Sequence, residues 1–246
     1  MNSRTFVVAV ALGFVSVLSV SAQIDAVPIN GRGPTLAERL QQHNVALTTS
    51  ALVAALRSSD TEVRELAALK LAEDGAKETI PSIEEALTAE NVTRARVNIA
   101  FALAQLGNQR GVNSLADTCH NSALKPGPRL LAVQYMLDLS SNACLTAVLD
   151  VLQSRDEDDA SYRMEALSLL PSFKHISKDQ SNMFLESVVR NLADPTPAVR
   201  MSASDALASL GDPAAIPYLR SAIAAEPEEA NRAFLETALN KLQQKK

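Results

Sequence analysis

The chain has 246 residues, 47% of them hydrophobic, which is enough to bury a substantial core and excludes disorder over most of its length. Aromatic residues make up only 4%, tryptophan is absent and glycine occurs eight times, so an all-β fold is disfavoured and closely packed helices are expected. The net charge of −5 argues against general nucleic-acid binding.

The first 22 residues have the pattern of an export signal. Arg4 precedes an apolar run from Phe6 to Val20, and small residues end the run at Ser21 and Ala22. A membrane anchor is the alternative, but this run is shorter than the ~20 residues that cross a bilayer. We therefore expect residues 1–22 to be removed as a signal peptide, leaving a periplasmic or secreted bacterial protein without a stable membrane span.

Beyond the signal, residues 23–34 are expected to form a flexible leader and residues 35–59 a pair of N-terminal capping helices. From residue 60 to residue 246, arginine recurs at nearly constant spacing. The recurring residues, called the anchoring arginines below, are Arg64, Arg96, Arg129, Arg163, Arg200 and Arg232, at intervals of 32, 33, 34, 37 and 32 residues.

Each anchoring arginine begins a similar local pattern. Apolar or small residues stand three and seven positions later, as Ala67 and Leu71 do after Arg64, and these positions share one face of a helix. Eleven positions later, three of the units have glycine, which favours a helix end. A second apolar set follows, with Ile83 and Leu87 in the first unit, and predicts a second helix.

One such helix pair cannot bury its apolar faces alone, but stacked pairs can. The sequence therefore predicts an all-α protein, an α-solenoid of about six helix-turn-helix units. The fourth unit departs from the pattern, because residues 171–182 replace the short turn and predict an exposed loop or a bend.

These columns resemble HEAT repeats, in particular the short HEAT-like class similar to that of the phycobilisome lyases, over residues 61–242. The resemblance implies that first helices line the convex side of the superhelix and second helices the concave side. Such arrays serve as scaffolds for many unrelated partners, so function has to be argued from surfaces and sites.

The anchoring arginines have two interpretations. They could form a ladder that binds a ligand, but guanidinium groups also bond helix ends and acids between repeats, and we expect this structural role. Asp60, Asp159 and Glu228 each stand four positions before an arginine and predict caps of first helices.

Cys119 and Cys144 are the only cysteines, and export would allow a disulfide between them. Cys119 also fits a column of buried apolar residues. In aligned register the two positions are separated by roughly 12 Å along a helix, whereas a disulfide needs Cα atoms within about 7 Å. The disulfide is therefore expected only if the two second helices pack with an offset.

The sequence shows no nucleophile elbow, glycine-rich phosphate loop or Cys-x-x-Cys motif, so no enzyme activity is expected. His43, His120 and His175 are isolated from one another, so neither a metal nor a cofactor is expected.

Outward positions of the second helices define a candidate concave interaction face. One column contains Ser82, Ser114, Ala147, Ser187 and Tyr218, a second contains Glu85, Asp117, Asp150, Arg190 and Ser221, and Arg220 adds a further basic group. This face is predicted to be acidic over the first three units and more basic near Arg190 and Arg220.

These features favour a non-catalytic protein–protein interaction scaffold or adaptor of the cell envelope or exterior, binding a polypeptide along the concave face. A basic or bipolar partner would complement its charge. An enzyme resembling the bilin lyases is the alternative from another class, although those proteins act on cytoplasmic pigment proteins and export fits that poorly. A chaperone-like HEAT protein and a self-associating structural envelope component are the further alternatives.

Overall fold

The computed structural model describes residues 33–244, so the predicted signal peptide and most of the predicted leader lie outside the described residues. This part of the chain is helical and contains no strand. Its helices are α1 (Leu36–Gln42), α2 (Thr49–Ala55), α3 (Thr61–Glu73), α4 (Ile80–Ala89), α5 (Thr93–Gln105), α6 (Gln109–His120), α7 (Pro126–Asp138), α8 (Leu145–Gln153), α9 (Ala160–Leu169), α10 (Lys178–Asn191), α11 (Pro197–Leu210), α12 (Ile216–Ala225) and α13 (Glu229–Gln244).

The helices alternate between two layers, as an α-solenoid requires. The first helices α3, α5, α7, α9, α11 and α13 each contact the next one in this order. In the second layer α6 packs against α8 and α8 against α10, whereas α4 and α6, like α10 and α12, approach one another less closely. The predicted α-solenoid is confirmed, with α1 and α2 placed against α3 at its N-terminal end.

The predicted apolar columns form the core. The residues three positions after each anchoring arginine are all fully buried: Ala67, Ile99, Ala132, Ala166, Ala203 and Leu235. Four of these six are alanine, which lets the backbones of neighbouring first helices approach closely.

Helix ends follow the local sequence. The side chain of Asp60 accepts a hydrogen bond from the backbone N–H of Glu62 and caps α3, as predicted. Gly211 ends α11 with a left-handed φ of 76°. Ser140 occupies the same place in the third unit, eleven residues after Arg129, with a φ of 60°. The left-handed helix end is therefore a feature of that repeat position even where glycine is absent.

The unusual segment of the fourth unit is more ordered than an exposed loop. Helix α10 begins at Lys178, because Ser177 and Gln180 form a reciprocal capping box. Phe173 is buried and packs edge-to-face on Phe184, with ring centroids 5.7 Å apart. The prediction of an exposed loop or a bend over residues 171–182 was therefore wrong for residues 178–182, which form the beginning of α10.

A buried polar row that was not predicted from the sequence joins the first three units. Asn98 donates a hydrogen bond of 2.7 Å to Glu65, and the hydroxyl of Tyr135 donates one of 2.7 Å to Asn98. The ring of Tyr135 is stacked on that of Phe101. Burial raises the pKa of Tyr135, so its hydroxyl stays a donor. These contacts fix α3, α5 and α7 relative to one another.

Gly111 in α6 allows the closest approach between the two helices of the second unit. A Cβ atom at this position would lie 2.5 Å from the carbonyl oxygen of Ala100 and 2.5 Å from the backbone nitrogen of Ala104, both in α5. Backbone atoms cannot rotate away, so a side chain here would push α6 off α5.

We predict that Gly111→Ala lowers the free energy of unfolding by about 1–3 kcal/mol, the usual cost of overpacking a core. Urea unfolding followed by circular dichroism measures the change. Gly33→Ala is the matched control, because no atom lies within 4 Å of its Cβ position. Equal stability of the two variants would contradict the predicted clash.

Candidate functional site

The anchoring arginines do not lie free on the surface. Each donates a hydrogen bond to a backbone carbonyl, which for all but Arg129 lies near the start of its own first helix, and four of them also bind a carboxylate. The acids are Glu90, Asp150, Asp194 and Glu226. We call these arginines and acids together the arginine ladder.

Glu90 shows how the ladder joins two units. Its carboxylate accepts bonds of 2.8 and 3.0 Å from Arg64 of the first unit. Its backbone carbonyl accepts bonds of 2.6 and 3.1 Å from Arg96 of the second unit. One residue between the two units is therefore bonded to both of their arginines.

Asp194 and Glu226 repeat this arrangement at the C-terminal end. Asp194 binds Arg163 through its carboxylate, at 2.9 and 3.3 Å, and Arg200 through its carbonyl, at 2.9 Å. Glu226 binds Arg200 through its carboxylate, at 2.7 and 2.8 Å, and Arg232 through its carbonyl, at 2.7 Å. Three successive units are thus connected through one chain of charged groups.

The third unit differs from this pattern. Arg129 donates to the carbonyl oxygen of Cys119, at 3.0 Å, and to the carboxylate of Asp150 on α8, at 3.2 Å. The residue six positions before Arg129 is Ala123, which has no carboxylate.

These contacts agree with the structural role expected for the arginines. The acids that complete the ladder were not predicted, although the sequence contains a signal for them. Glu90, Asp194 and Glu226 each stand six positions before an anchoring arginine. All three acids are buried. Their place in the links between helices did not by itself predict this burial.

The charges of the ladder hold one another in the ionised state. Hydrogen bonding from Arg200 lowers the pKa of Glu226 from 4.5 to about 2, against the opposing effect of burial. Arg64 lowers the pKa of Glu90 in the same way, and the pKa values of both arginines are raised by their carboxylate partners. At neutral pH the Arg64–Glu90 and Arg200–Glu226 pairs are therefore both ionised.

The surface formed by α2, α4, α6, α8, α10 and α12, called the second-helix face below, contains grooves that open beside the ladder. A cavity of about 560 Å³ is lined by Arg57, Ser82, Glu85, Glu90 and Val92, among others. A cavity of about 300 Å³ is lined by Arg96, Arg110, Ser114 and Asp117. A cavity of about 440 Å³ lies between α10 and α12 and is lined by Val189, Asp194, Arg200, Tyr218 and Glu226.

Most of the predicted face residues line these grooves. Ser82, Glu85, Ser114, Asp117 and Tyr218 do so, and Arg190 lines a further cavity of about 380 Å³ that shares Tyr218. Asp150 and Arg220 are exposed on α8 and α12.

Two residues assigned to this face are not on it. Ala147 is 1% exposed and Ser187 is 9% exposed. Ala147 lies on α8 and Ser187 on α10, and these two helices pack closely together. Each helix therefore covers a position that would be open in a more widely spaced pair.

The predicted acidic character of the first three units is also reduced. Glu85 forms an ion pair with Arg57 at 2.8 Å, and Asp150 one with Arg129 at 3.2 Å. Of the three acids in that column, Asp117 alone has no ion-pair partner in the described part of the chain.

Cys119 and Cys144 are joined by a disulfide, with their Cα atoms 5.9 Å apart. Cys119 lies in the last turn of α6 and Cys144 at the N-cap of α8. The end of one second helix therefore lies beside the start of the next. The two helices are offset along their axes, and this offset brings the cysteines within bonding distance.

The first-helix face, formed by the outer sides of α9, α11 and α13, also contains a groove. A cavity of about 420 Å³ is lined by Met164, Met201, Ser202 and Phe234, among others. Phe234 is 43% exposed, similar to Tyr218 at 47% and Val92 at 46% on the other face.

Removing one charge from the buried part of the ladder should be costly. The side chains of Arg163 and Asp194 are both 0% exposed, and an uncompensated buried charge typically costs about 3–5 kcal/mol. We predict a loss toward the lower end of this range for Arg163→Met in urea unfolding, because Arg155 remains 3.7 Å from the Asp194 carboxylate, with partial recovery in the double variant Arg163→Met/Asp194→Leu. The control Arg57→Met breaks an exposed pair and should cost about 1 kcal/mol or less. Equal losses for the two single variants would argue against a stabilising role of the buried ladder.

The Arg200–Glu226 pair predicts an acid-dependent loss of stability. Because the pKa of Glu226 is about 2 in the folded chain and 4.5 ordinarily, its contribution is complete above pH 4.5 and is lost as pH falls toward 2. Glu226→Gln should therefore show a shallower fall of unfolding free energy across this range than the unaltered chain. Glu236→Gln, an exposed change on α13, should leave the steeper profile intact. Superimposable profiles for Glu226→Gln and the unaltered chain would refute this assignment.

In the described part of the chain, no helix is both long and apolar enough for a transmembrane span. The structure is similar to human deoxyhypusine hydroxylase in complex with glycerol, with 19% identity over 80% of this chain and 74% of that one and a TM-score of 0.42. It is also similar to the CpcE–CpcF complex of phycocyanin lyase from Nostoc sp. PCC7120, with 20% identity over 80% and 76% of the two chains and a TM-score of 0.47. No curated protein sequence gives a significant match. The family model of HEAT repeats matches residues 49–136 and 145–240, which is most of the chain, so this protein belongs to the HEAT-repeat family.

Proposed function

We propose that this protein is a non-catalytic scaffold or adaptor of the cell envelope or exterior, and that it binds a polypeptide segment along the second-helix face. The observation that carries the proposal is the row of grooves between second helices. Their walls offer exposed apolar side chains, such as Val92 and Tyr218, beside small polar residues, such as Ser82 and Ser114.

The floors of these grooves support a peptide ligand over a charged small molecule. The guanidinium and carboxylate groups of Arg64, Glu90, Arg200 and Glu226 already bond to one another. A bound anion or cation would have to compete with these buried pairs. A peptide can instead place apolar side chains against the groove walls and leave the floor unchanged.

Two features support export. The N-terminal pattern from Arg4 to Ala22 is that of a signal peptide, and a disulfide between two buried cysteines suits an oxidising compartment.

The charge of the groove also constrains the partner. Because Glu85 and Asp150 are engaged in ion pairs, Asp117 is the acid best placed to attract a basic residue of the partner.

Photo-crosslinking tests which face binds. A photoreactive phenylalanine analogue replaces Val92, Tyr218 or Phe234 in the full chain, and the three proteins are irradiated in envelope preparations of the native host. These positions are 46%, 47% and 43% exposed, so Phe234 on the first-helix face is a matched control. We expect the same polypeptide to be linked from positions 92 and 218 and not from position 234.

The captured polypeptide is then tested with purified variants. Tyr218→Ala should weaken its binding about tenfold, which corresponds to ~1.4 kcal/mol, while Phe234→Ala should leave the affinity unchanged. Crosslinking from position 234 alone, or a loss of affinity in Phe234→Ala but not in Tyr218→Ala, would move the binding site to the first-helix face and overturn the proposal.

A further inference from the structure

The disulfide lies beside a histidine that the sequence analysis treated as isolated. Nδ1 of His120 is 3.4 Å from Sγ of Cys119, and one ligand atom from each of Cys119, His120 and Cys144 lies within 4.8 Å of the others. The cysteines are buried, whereas His120 is exposed. Two sulfurs and an imidazole nitrogen therefore converge where α6 ends and α8 begins.

This donor set changes its chemistry when the disulfide is reduced. A thiolate is a strong ligand of soft and borderline metal ions, whereas a disulfide sulfur is not. Two thiolates and one imidazole provide three of the four ligands of a tetrahedral zinc ion. Ligand atoms on one such ion are about 3.5–3.8 Å apart by the usual Zn–S and Zn–N bond lengths, close to the Cys119–His120 separation.

We propose that the reduced chain binds Zn²⁺ through Cys119, Cys144 and His120, with the fourth position open to water. The disulfide and the zinc complex are then alternative states of one site. The proposal is independent of the polypeptide-binding function, because it concerns the junction of α6 and α8 rather than the grooves.

The surroundings hold the three ligands near one another after reduction. Gly111 fixes α6 directly on α5, and Arg129 bonds the carbonyl of Cys119 and the carboxylate of Asp150 on α8. These contacts do not involve the disulfide, so the ends of α6 and α8 have a second link. Cys144 is the N-cap of α8, and a helix N-terminus stabilises negative charge on its sulfur.

The histidine has to make one adjustment. Nδ1 of His120 lies 2.8 Å from the carbonyl oxygen of Ala116, so in the disulfide form this nitrogen carries the proton of that hydrogen bond. Zinc binding requires either loss of this bond or rotation that presents Nε2. The ring is exposed and can make this change without disturbing the core.

The redox step requires a dithiol reductant; the phosphine used in the test below does the same, taking an oxygen from water to become the phosphine oxide. A dithiol attacks one sulfur of the Cys119–Cys144 bond, is itself oxidised to a disulfide, and leaves two thiols on the chain after transfer of two electrons and two protons. Zn²⁺ then displaces the two thiol protons, so about two protons are released for each metal ion bound.

The test uses the full chain reduced with a phosphine and freed of reductant without oxygen. Co²⁺ is titrated as a spectroscopic substitute for zinc, and Zn²⁺ is then added to displace it. We expect one Co²⁺ per chain, with thiolate-to-cobalt charge-transfer and tetrahedral d–d bands, in the reduced protein and no such bands in the oxidised protein. Cys144→Ser should lose the two-thiolate spectrum.

His120→Asn distinguishes three ligands from two. It should keep thiolate bands but weaken Co²⁺ binding at least about tenfold, since even outer-shell partners of metal ligands contribute this much. His175→Asn is the matched control, because His175 is exposed elsewhere, at a left-handed φ that asparagine tolerates. Unchanged affinity in His120→Asn would overturn the three-ligand site.

Circular dichroism separates metal binding from unfolding. The reduced chain should keep its helical signal, or regain it when Zn²⁺ is added. A reduced chain that loses its helices and does not recover them with Zn²⁺ would refute the proposal, as would equal Co²⁺ binding by the reduced and oxidised proteins.

Discussion

A buried acid at the end of a second helix has to satisfy its charge away from water, and in this protein its carboxylate binds the arginine of the same unit while its backbone carbonyl binds the arginine of the next unit. Glu226 accepts two bonds from Arg200 and a further one from Asn231, and its own carbonyl accepts a bond from Arg232. Burying such charges is expensive, so a complete pair adds less to stability than its short distances indicate. The stronger effect is on geometry, because a unit displaced along the stack would move its arginine away from the backbone carbonyl of the acid before it. We infer that the ladder sets the register between units while the apolar columns supply the driving force.

The junction of the second and third units lacks the acid that would continue the ladder. Ala123 occupies the position six residues before Arg129, where Glu90, Asp194 and Glu226 stand in other units. At this same junction the disulfide connects α6 to α8, and Arg129 donates a hydrogen bond to the carbonyl of Cys119. A covalent link thus occurs where the ionic link is missing.

Much of the fold is determined by local pattern and could be predicted from it. The positions three residues after each anchoring arginine are buried because they lie on the side of the first helix that packs against its neighbours. Residues on that side recur at every helical turn, so the sequence shows them. Predicting the ladder acids would have required comparing equivalent positions in adjacent units rather than positions along one helix. Predicting the disulfide would have required the axial offset between α6 and α8. That offset depends on how the two helices pack, and no single residue indicates it. The burial of Ala147 and Ser187 has the same origin, since the spacing of α8 and α10 is a property of the assembled pair.

The uneven spacing of the second helices also shapes how a partner could bind. Between α6 and α10 the layer is closed by helix packing and by the disulfide, whereas grooves open toward α4 on one side and α12 on the other. A polypeptide that uses both openings has to cross the closed middle units without entering a groove there. Two such contacts on one chain act together through effective concentration, so each can be weak while the pair is selective for segments of suitable length. Partner choice would then be set by the distance between two apolar side chains of the ligand as much as by their identity.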